Sequence, residues 1–251
     1  MSRQEQIDAV AAFYNDVDTT RPPSITDRER IKAINHLFER KTSDRFLDIG
    51  CYDGTKTTYI AEIVSAKEVY GIDFLEDRLA MASELGIKTV HVDLNQPKQI
   101  PFVSASFDLI FIGDVIEHVF SPDHLLQEVA RLLKPGGYTI ITTPNLASWR
   151  NRLVLLFGWQ PFMTEVSTSL RVGNPLAPIG KPSGHIRVFV PRALTQLAAE
   201  YSLITEVIAG INGNSPGGGL YTRAARQVDQ VISRISPKLC DELVVKLRKH
   251  S

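Results

Sequence analysis

Residues 45–54, Arg-Phe-Leu-Asp-Ile-Gly-Cys-Tyr-Asp-Gly, constrain the fold of this chain more than any other stretch. The apolar first half predicts a short buried strand that ends at Gly50, and residues 55–67 repeat apolar positions at helical spacing. A strand that turns sharply into a helix leaves backbone N–H groups available at its carboxyl end, and glycine lets another molecule approach that backbone closely. Open α/β sheets bind nucleotide-like ligands at such turns. The stretch therefore predicts an α/β fold with a ligand site here.

Strand-like and helix-like patterns alternate along the rest of the chain. Short apolar runs that predict strands cover residues 68–73, 87–92, 107–113, 138–143 and 203–210. Segments with helical spacing cover residues 75–85, 122–133 and 191–201. This alternation is typical of a doubly wound, parallel sheet covered by helices on both faces. Residues 242–248 alternate as an edge strand, with Lys246 and Arg248 among the basic residues that protect the edge from aggregation.

Composition narrows the class of protein further. The 251 residues carry 28 basic and 28 acidic side chains, so no global charge attracts the chain to nucleic acid. No apolar run is long enough to cross a membrane, and no signal peptide is evident, so integral membrane contact is not expected. Cys51 and Cys240 are too few for a disulfide framework. We expect a cytoplasmic protein.

Acidic residues end two of the predicted strands. Asp73 lies 19 residues beyond Gly54, the spacing at which a carboxylate accepts hydrogen bonds from ribose hydroxyls. The alternative is that Asp73 caps the helix that follows, as aspartate often does. Asp93 ends the next strand along the chain.

Five motifs follow one another in order. They are Leu-Asp-Ile-Gly-Cys-Tyr-Asp-Gly (47–54), Gly-Ile-Asp (71–73), Phe-Asp-Leu-Ile (107–110), Val-Ile-Glu-His-Val (115–119) and Leu-Leu-Lys-Pro-Gly-Gly (132–137). Together they resemble the class I S-adenosylmethionine-dependent methyltransferases, in particular the small-molecule branch that includes the quinone-pathway enzymes. Residues 44–145 resemble the family closely and residues 184–210 more loosely. The resemblance implies a Rossmann-like seven-stranded sheet with an antiparallel last strand, and S-adenosylmethionine as a cofactor that leaves as S-adenosylhomocysteine.

The resemblance also assigns the cofactor to residues at the carboxyl ends of the strands. These are Asp48, Gly50, Cys51, Tyr52 and Gly54 for the methionine part and its turn, Asp73 for the ribose, Phe74, Asp93 and Leu94 for the adenine, and Gly113 and Asp114 for the sulfonium end. The family usually has glycine where Tyr52 stands. We therefore expect Tyr52 either to adopt an unusual backbone angle or to alter the turn slightly.

Two further regions flank this core within what we expect to be a single methyltransferase domain. Residues 1–44 predict a helical cap, with helices at 4–14 and 27–40, and the first helix with Tyr14 either caps the sheet or closes over the ligand. Residues 146–184, called the insert below, combine an aromatic and apolar first part with a breaker-rich second part. The insert predicts a lid or wall over the acceptor pocket. A homodimer contact, an extra packing layer and a lipid-touching surface are the alternatives. Residues 45–145 form the predicted cofactor-binding core, and 185–251 the C-terminal part of the sheet.

Methyl transfer is an in-line displacement on a sulfonium, so the protein needs to position the acceptor and remove its proton. Histidine is the side chain best suited to accept a proton near neutral pH. His118 follows a predicted central strand and His185 follows the insert, so both are candidate catalytic residues.

Asp114, Glu117 and His118 form an Asp-x-x-Glu-His pattern, which we expect to span about one helical turn, and His185 could add a fourth ligand. The pattern is similar to the Glu-x-x-Glu-His metal site of quinone-pathway O-methyltransferases and of small-RNA 3′-terminal methyltransferases. Metal-free relatives also carry Glu-His, so a catalytic role for these side chains and a divalent metal both stay open.

The sequence therefore predicts a methyltransferase that acts on a small, partly apolar acceptor, with oxygen favoured over nitrogen or carbon. A nucleotide-dependent dehydrogenase is disfavoured because the turn lacks the Gly-x-Gly-x-x-Gly spacing. An RNA methyltransferase is disfavoured because no basic stripe is present, and nucleic acid is not an expected partner. A catalytically inactive S-adenosylmethionine-binding module remains an alternative.

Overall fold

The computed structural model describes residues 25–40, 43–177, 180–212, 227–229, 231–232 and 235–250. Its strands are β1 (Arg45–Ile49), β2 (Glu68–Asp73), β3 (Lys88–His91), β4 (Phe107–Gly113), β5 (Leu133–Pro144), β6 (Leu203–Ile211) and β7 (Glu242–Lys249). They form one seven-stranded sheet in the order β3-β2-β1-β4-β5-β7-β6. The first five strands pair in parallel, and β7 is antiparallel to both of its neighbours. The predicted fold class, a seven-stranded sheet with an antiparallel last strand, is confirmed.

Helices cover both faces of the sheet. They are α1 (Ile25–Ile34), α2 (Thr55–Val64), α3 (Glu76–Glu84), α4 (Pro122–Leu132), α5 (Trp149–Leu156) and α6 (Pro191–Glu200). The side chain of Ser121 accepts the N–H of His124 at 3.1 Å and so caps α4, as its position before Pro122 predicts. The predicted helix at 4–14 and Tyr14 lie outside the described residues.

Side chains of the central strands alternate between two apolar layers. Ile110 and Ile112 of β4 face one layer, which α4 and α6 complete with residues such as Leu126 and Leu194. Leu109 and Phe111 face the other layer, which α1 and α2 complete. Because both faces are covered, the central strands read as near-continuous apolar runs in the sequence. This packing fixes the carboxyl ends of β1, β2 and β4, where the candidate site lies.

The prediction that residues 242–248 form the edge of the sheet is wrong, because β7 lies between β5 and β6. Lys246 is only 8% exposed, and its Nζ lies 2.9 Å from Oε1 of Glu39. Arg248 also pairs with Glu39 and donates to Oε2 of Glu206 at 2.9 Å. These carboxylates compensate the charges of an interior strand, so an alternating basic pattern does not by itself indicate an edge.

Candidate functional site

The turn after β1 has the backbone geometry that its glycines allow. Gly50 and Gly54 both have φ of +79°, and Tyr52 between them has φ of +50°. Of the two outcomes expected for Tyr52, the structure shows the first, an unusual left-handed backbone angle. A Cβ atom built on Gly50 would lie 2.3 Å from Cγ2 of Val115, so the turn packs directly on the segment that follows β4.

Three backbone N–H groups of this turn are already bonded within the protein. Gly50 and Cys51 donate to the carbonyl of Ile72, at 2.8 and 3.1 Å. Tyr52 donates to Oδ2 of Asp73 at 3.0 Å. The expectation that these N–H groups are available to a ligand is therefore wrong. The carboxyl end of the parallel strand β2 lies beside the turn and accepts these three hydrogen bonds. A ligand can therefore pack against the turn, but these three N–H groups are not available to bind it.

Asp48 lies beneath the turn and joins α2 to the sheet. Its carboxylate accepts the hydroxyl of Thr57 at 2.5 Å, and its side chain is almost fully buried. Burial raises the pKa of Asp48 to about 6, although the hydrogen bond from Thr57 acts in the opposite direction. The contact holds the first turn of α2 against the end of β1.

Asp73 ends β2 and connects the turn with the start of α3. Its Oδ1 accepts the N–H groups of Phe74 and Leu75, at 2.8 and 3.1 Å, while Oδ2 accepts that of Tyr52. Burial raises the pKa of Asp73, and these three N–H donors partly offset the increase. Each carboxylate oxygen can accept two hydrogen bonds, so Oδ2 keeps capacity for one more donor.

The residues assigned to the adenine lie along the neighbouring strand ends. Phe74 is half-buried, and its carbonyl is 2.9 Å from Nε2 of His91. Asp93 follows β3 and accepts the N–H of Asn95 at 2.9 Å. Leu94 packs, partly buried, against the apolar layer that includes β4. Because β1, β2 and β3 are parallel neighbours, these side chains share one edge of the sheet.

Asp114 follows β4 in a turn, with φ of +57°. The prediction that Asp114, Glu117 and His118 share a helical turn is wrong, because α4 begins only at Pro122. The Asp114 carboxylate accepts Arg30 at 2.8 and 3.1 Å and the hydroxyl of Thr142 at 3.1 Å. Burial alone would raise the pKa of Asp114, but the charges of Arg30 and Lys56, together with the hydrogen bonds from Arg30 and Thr142, outweigh it and hold the pKa below its usual range.

A small, partly open cleft lies beside Gly113 and Asp114. Its charged lining includes Lys56 and Glu242 in addition to Arg30. Arg30 donates to Oε1 of Glu242 at 2.5 Å. Burial and the charge of Asp114 raise the pKa of Glu242 to about 7, although Arg30 acts in the opposite direction. The sequence analysis missed Arg30, Lys56 and Glu242, and no local motif marks them.

Glu117, His118 and His185 form a second cluster, in which one ligand-type atom of each residue lies within 4.8 Å of the others. The rings of His118 and His185 have centroids 4.8 Å apart. The C-terminal end of the insert therefore meets the segment after β4, and the two histidines that the sequence singled out lie next to each other. Asp114 is not part of this cluster because Arg30 and Thr142 hold its carboxylate.

The hydrogen bonds of the two histidines indicate their tautomers. Nδ1 of His118 lies 3.0 Å from the carbonyl of Gly184, and Nδ1 of His185 lies 2.9 Å from the carbonyl of Met163. A carbonyl only accepts, so each Nδ1 carries a proton, and in the neutral ring Nε2 has a lone pair. Burial, together with the neighbouring His185, lowers the pKa of His118 to about 4. His118 is therefore neutral at pH 7.

Glu117 is fully buried beside these rings. Its Oε2 accepts the hydroxyl of Thr143 at 2.9 Å, whereas its Oε1 has no hydrogen-bond donor among the residues that the structure describes. Burial and the charge of Asp114 raise the pKa of Glu117 well above its ordinary value. A carboxylate oxygen and two imidazole nitrogens form a donor set that suits a divalent transition metal. Glu117 in this cluster can therefore be protonated and neutral, or it can be ionised and bind a cation together with the two histidines.

Comparison with known proteins agrees with this geometry. A family described as Methyltransferase domain matches residues 24–203. The demethylmenaquinone methyltransferase of Bacillus cytotoxicus is 30% identical over 134 residues, which cover 50% of this chain and 56% of that protein. The chain thus spans about half the length of the curated relatives it matches.

Two solved structures share the fold. An S-adenosylmethionine-dependent methyltransferase from Mesorhizobium loti superimposes with a TM-score of 0.58 and 18% identity, over 87% of this chain and 96% of that one. The N-methyltransferase NodS from Bradyrhizobium japonicum, solved with S-adenosylhomocysteine, has a TM-score of 0.58 and 16% identity, over 97% and 99%.

The sheet order and these neighbours define a class I S-adenosylmethionine-dependent methyltransferase fold, so the resemblance seen in the sequence is confirmed. The chain belongs to the Methyltransferase domain family.

Proposed function

We propose that the chain transfers the methyl group of S-adenosylmethionine to a small, partly apolar acceptor, at oxygen, and releases S-adenosylhomocysteine. The observation that carries the proposal is the His118–His185 pair, which lies just after β4 and close to the glycine turn. Val115 connects the two, because it touches Gly50 and its carbonyl accepts the N–H of His118 at 2.9 Å. A proton acceptor thus lies beside the edge of the sheet where this fold binds its ligands.

The proposed cofactor site runs along this edge. The turn formed by Gly50, Cys51, Tyr52 and Gly54, held from below by Asp48, would face the methionine part. The free capacity of Asp73 Oδ2 suits one ribose hydroxyl, and Phe74, Asp93 and Leu94 would surround the adenine. Gly113 and Asp114 would lie near the sulfonium.

In the proposed step the acceptor oxygen attacks the sulfonium methyl group in line with the breaking carbon–sulfur bond. A new carbon–oxygen bond forms, the sulfur keeps the electron pair, and the acceptor proton passes to Nε2 of His118 or His185. A neutral imidazole with protonated Nδ1 is suited to this role because its Nε2 accepts a proton without first losing one. The carbonyls of Gly184 and Met163 would keep both rings in that tautomer.

The acceptor class rests on two supports. The relatives that are 28–30% identical are named for demethylmenaquinone, which favours a small-molecule acceptor over a macromolecule. The balanced charge of the chain argues against RNA as the acceptor.

We also propose that residues 1–44 form a cap, 45–145 the cofactor core, 146–184 the acceptor-side wall and 185–251 the rest of one domain. A screen with tritiated S-adenosylmethionine against cell extract, followed by mass spectrometry of the labelled product, tests the function and identifies the acceptor.

Replacing Asp73 by alanine is expected to raise the dissociation constant of S-adenosylhomocysteine at least tenfold, which corresponds to about 1.4 kcal/mol. The variant loses a charge-assisted hydrogen bond to ribose and the acceptor that holds Tyr52 in the turn. Isothermal titration calorimetry measures the change, with NAD as a ligand that is expected not to bind. Asp44→Ala is the matched control, since that carboxylate is 60% exposed and pairs with the exposed Lys67 at the opposite end of β1. Equal affinities for the two variants would remove Asp73 from the site.

A divalent cation is the alternative occupant of the Glu117–His118–His185 cluster. When bound, it would be held by Glu117, His118 and His185, and it would polarise the acceptor oxygen. If a cation belongs there, dialysed protein carries about one transition-metal ion per chain by elemental analysis, and Glu117→Gln loses it. Metal-free protein whose activity resists chelators excludes the cation and leaves the histidine mechanism.

A further inference from the structure

Exposed apolar side chains are concentrated in the insert. Of the eighteen large apolar side chains that are exposed in the described part of the chain, nine lie in residues 146–184, a segment that makes up less than a fifth of the described residues. These nine are Leu153, Leu155, Leu156, Phe157, Met163, Val166, Leu170, Val172 and Leu176. Scattered apolar side chains are normal on a surface, but a concentration in one segment marks a surface that contacts something.

The helix of the insert, α5, has its apolar side chains on the outside. Asn151 and Val154 face inward and are buried, whereas Leu153 is 46% and Leu156 is 79% exposed. Phe157 follows at the end of the helix and is 62% exposed. Leu153, Leu156 and Phe157 are three and four residues apart and share one face of the helix. A helix that faces only water normally carries polar residues there.

The insert carries a net positive charge. Its basic residues are Arg150, Arg152, Arg171 and Lys181, and its only acidic residue is Glu165. The carboxylate of Glu165 turns inward, where it accepts the N–H groups of Gly184 and His185 at 2.9 and 3.2 Å.

The two arginines at the start of α5 have different roles. Arg150 is paired with Asp229 and Asp241, which neutralise it. Arg152 is exposed, its Nε donates to the carbonyl of Ala147 at 2.8 Å, and it pairs with no carboxylate in the described part of the chain. A positive charge on the outward side of α5 therefore lies next to Leu153 and Leu156.

We propose that the outer face of the insert, formed by Arg152, Leu153, Leu156 and Phe157, docks on an anionic lipid surface. Apolar side chains beside basic ones are the combination that holds a protein at a membrane interface, where the former enter the headgroup region and the latter meet negative lipids. A second copy of the chain is the disfavoured occupant, because a symmetric contact would place Arg152 near its own counterpart with no acidic residue of the insert to offset it. None of the described helices is long and apolar enough to cross a bilayer.

The path of the chain connects this face with the catalytic cluster. The insert starts after Asn145, at the carboxyl end of β5, and returns at Gly184, whose carbonyl bonds to His118. Resting on the proposed function, the docking would identify the acceptor as a compound that partitions into the lipid and reaches the site beside the insert.

Sedimentation of the 251-residue chain with vesicles tests the docking. We expect binding to vesicles that contain phosphatidylglycerol, weaker binding to pure phosphatidylcholine, and a decrease with added salt. The double substitution Leu156→Glu and Phe157→Glu should weaken binding to anionic vesicles at least tenfold, and Arg152→Glu should weaken it severalfold. Val103→Glu is the matched control, because Val103 is also 79% exposed but lies outside the insert; it should bind as the unmodified protein does.

Two results would overturn the proposal. One is the absence of binding to anionic vesicles, or equal weakening by Val103→Glu. The other is a dimer, seen by light scattering, that the double substitution dissociates, since the face would then bind a second copy. Titration of each variant with S-adenosylhomocysteine separates this outcome from failure of the proposed function. Intact cofactor binding without vesicle binding refutes only the docking, and vesicle binding without cofactor binding refutes only the enzyme.

Discussion

Replacing His118 by asparagine is expected to lower kcat/KM for methyl transfer by about 10²–10⁴-fold, the contribution typical of a positioned general base. The asparagine amide can still donate to the carbonyl of Gly184 from near the position of Nδ1, but it offers no group in place of Nε2. The local fold is thus kept while the proton acceptor is removed. The rate is measured on the acceptor that the tritium screen identifies, and S-adenosylhomocysteine affinity is expected to stay unchanged.

The control for this substitution is His124→Gln, which removes a half-buried histidine outside the cluster whose Nε2 bonds to the carbonyl of Lys98. It should leave the rate unchanged.

The pH dependence of kcat/KM gives a second check on the role of His118. Burial lowers the pKa of His118 to about 4, so the free enzyme keeps its base unprotonated down to that pH. We expect kcat/KM to fall only as the pH approaches 4, rather than at the usual imidazole pKa of about 6.5. A decrease centred near 6.5, or full activity in His118→Asn, would contradict the role of His118 as the base.

The contrast between local and distant contacts explains how much of this site could be predicted from the sequence. Gly50, Asp73 and His118 lie in short motifs, each beside the strand that positions it, so spacing alone indicated their places. The ion pair of Arg30 with Glu242 joins residues 212 positions apart, and nothing in either local pattern signals it.

The turn after β1 shows a second limit. Its glycines and the angle of Tyr52 follow from the local sequence, but the acceptors of its N–H groups come from Ile72 and Asp73 on another strand. The sequence pattern of one strand does not show which hydrogen bonds the end of a neighbouring strand will accept from it. The same reasoning applies to β7. Its basic residues suggest an edge strand, but Lys246 pairs with Glu39 and Arg248 pairs with Glu206, and both partners lie far away in the sequence.

Replacing Gly50 by alanine is expected to lower the free energy of unfolding by about 2–5 kcal/mol. Two effects add. A left-handed backbone costs a residue with a Cβ atom about 1–2 kcal/mol, and forcing an atom into a packed interior costs about 1–3 kcal/mol more. At Gly50 φ is +79°, and the new Cβ would lie 2.3 Å from Cγ2 of Val115. Urea unfolding measures the loss, and calorimetry should show weaker binding of S-adenosylhomocysteine because the turn must move.

Gly86→Ala separates the two effects, because Gly86 has a similar φ of +83° but no atom within 4 Å of its would-be Cβ. In that variant the free energy of unfolding should fall only by the cost of the left-handed backbone, about 1–2 kcal/mol. Adding Val115→Ala to Gly50→Ala should restore part of the difference, since the shortened side chain leaves room for the new methyl group, and the double-mutant cycle isolates this coupling. If Gly50→Ala and Gly86→Ala lose the same stability, the contact with Val115 is not tight. The turn would then not be held tightly against the segment that carries His118. This result would contradict the proposal that the contact with Val115 places the base next to the cofactor.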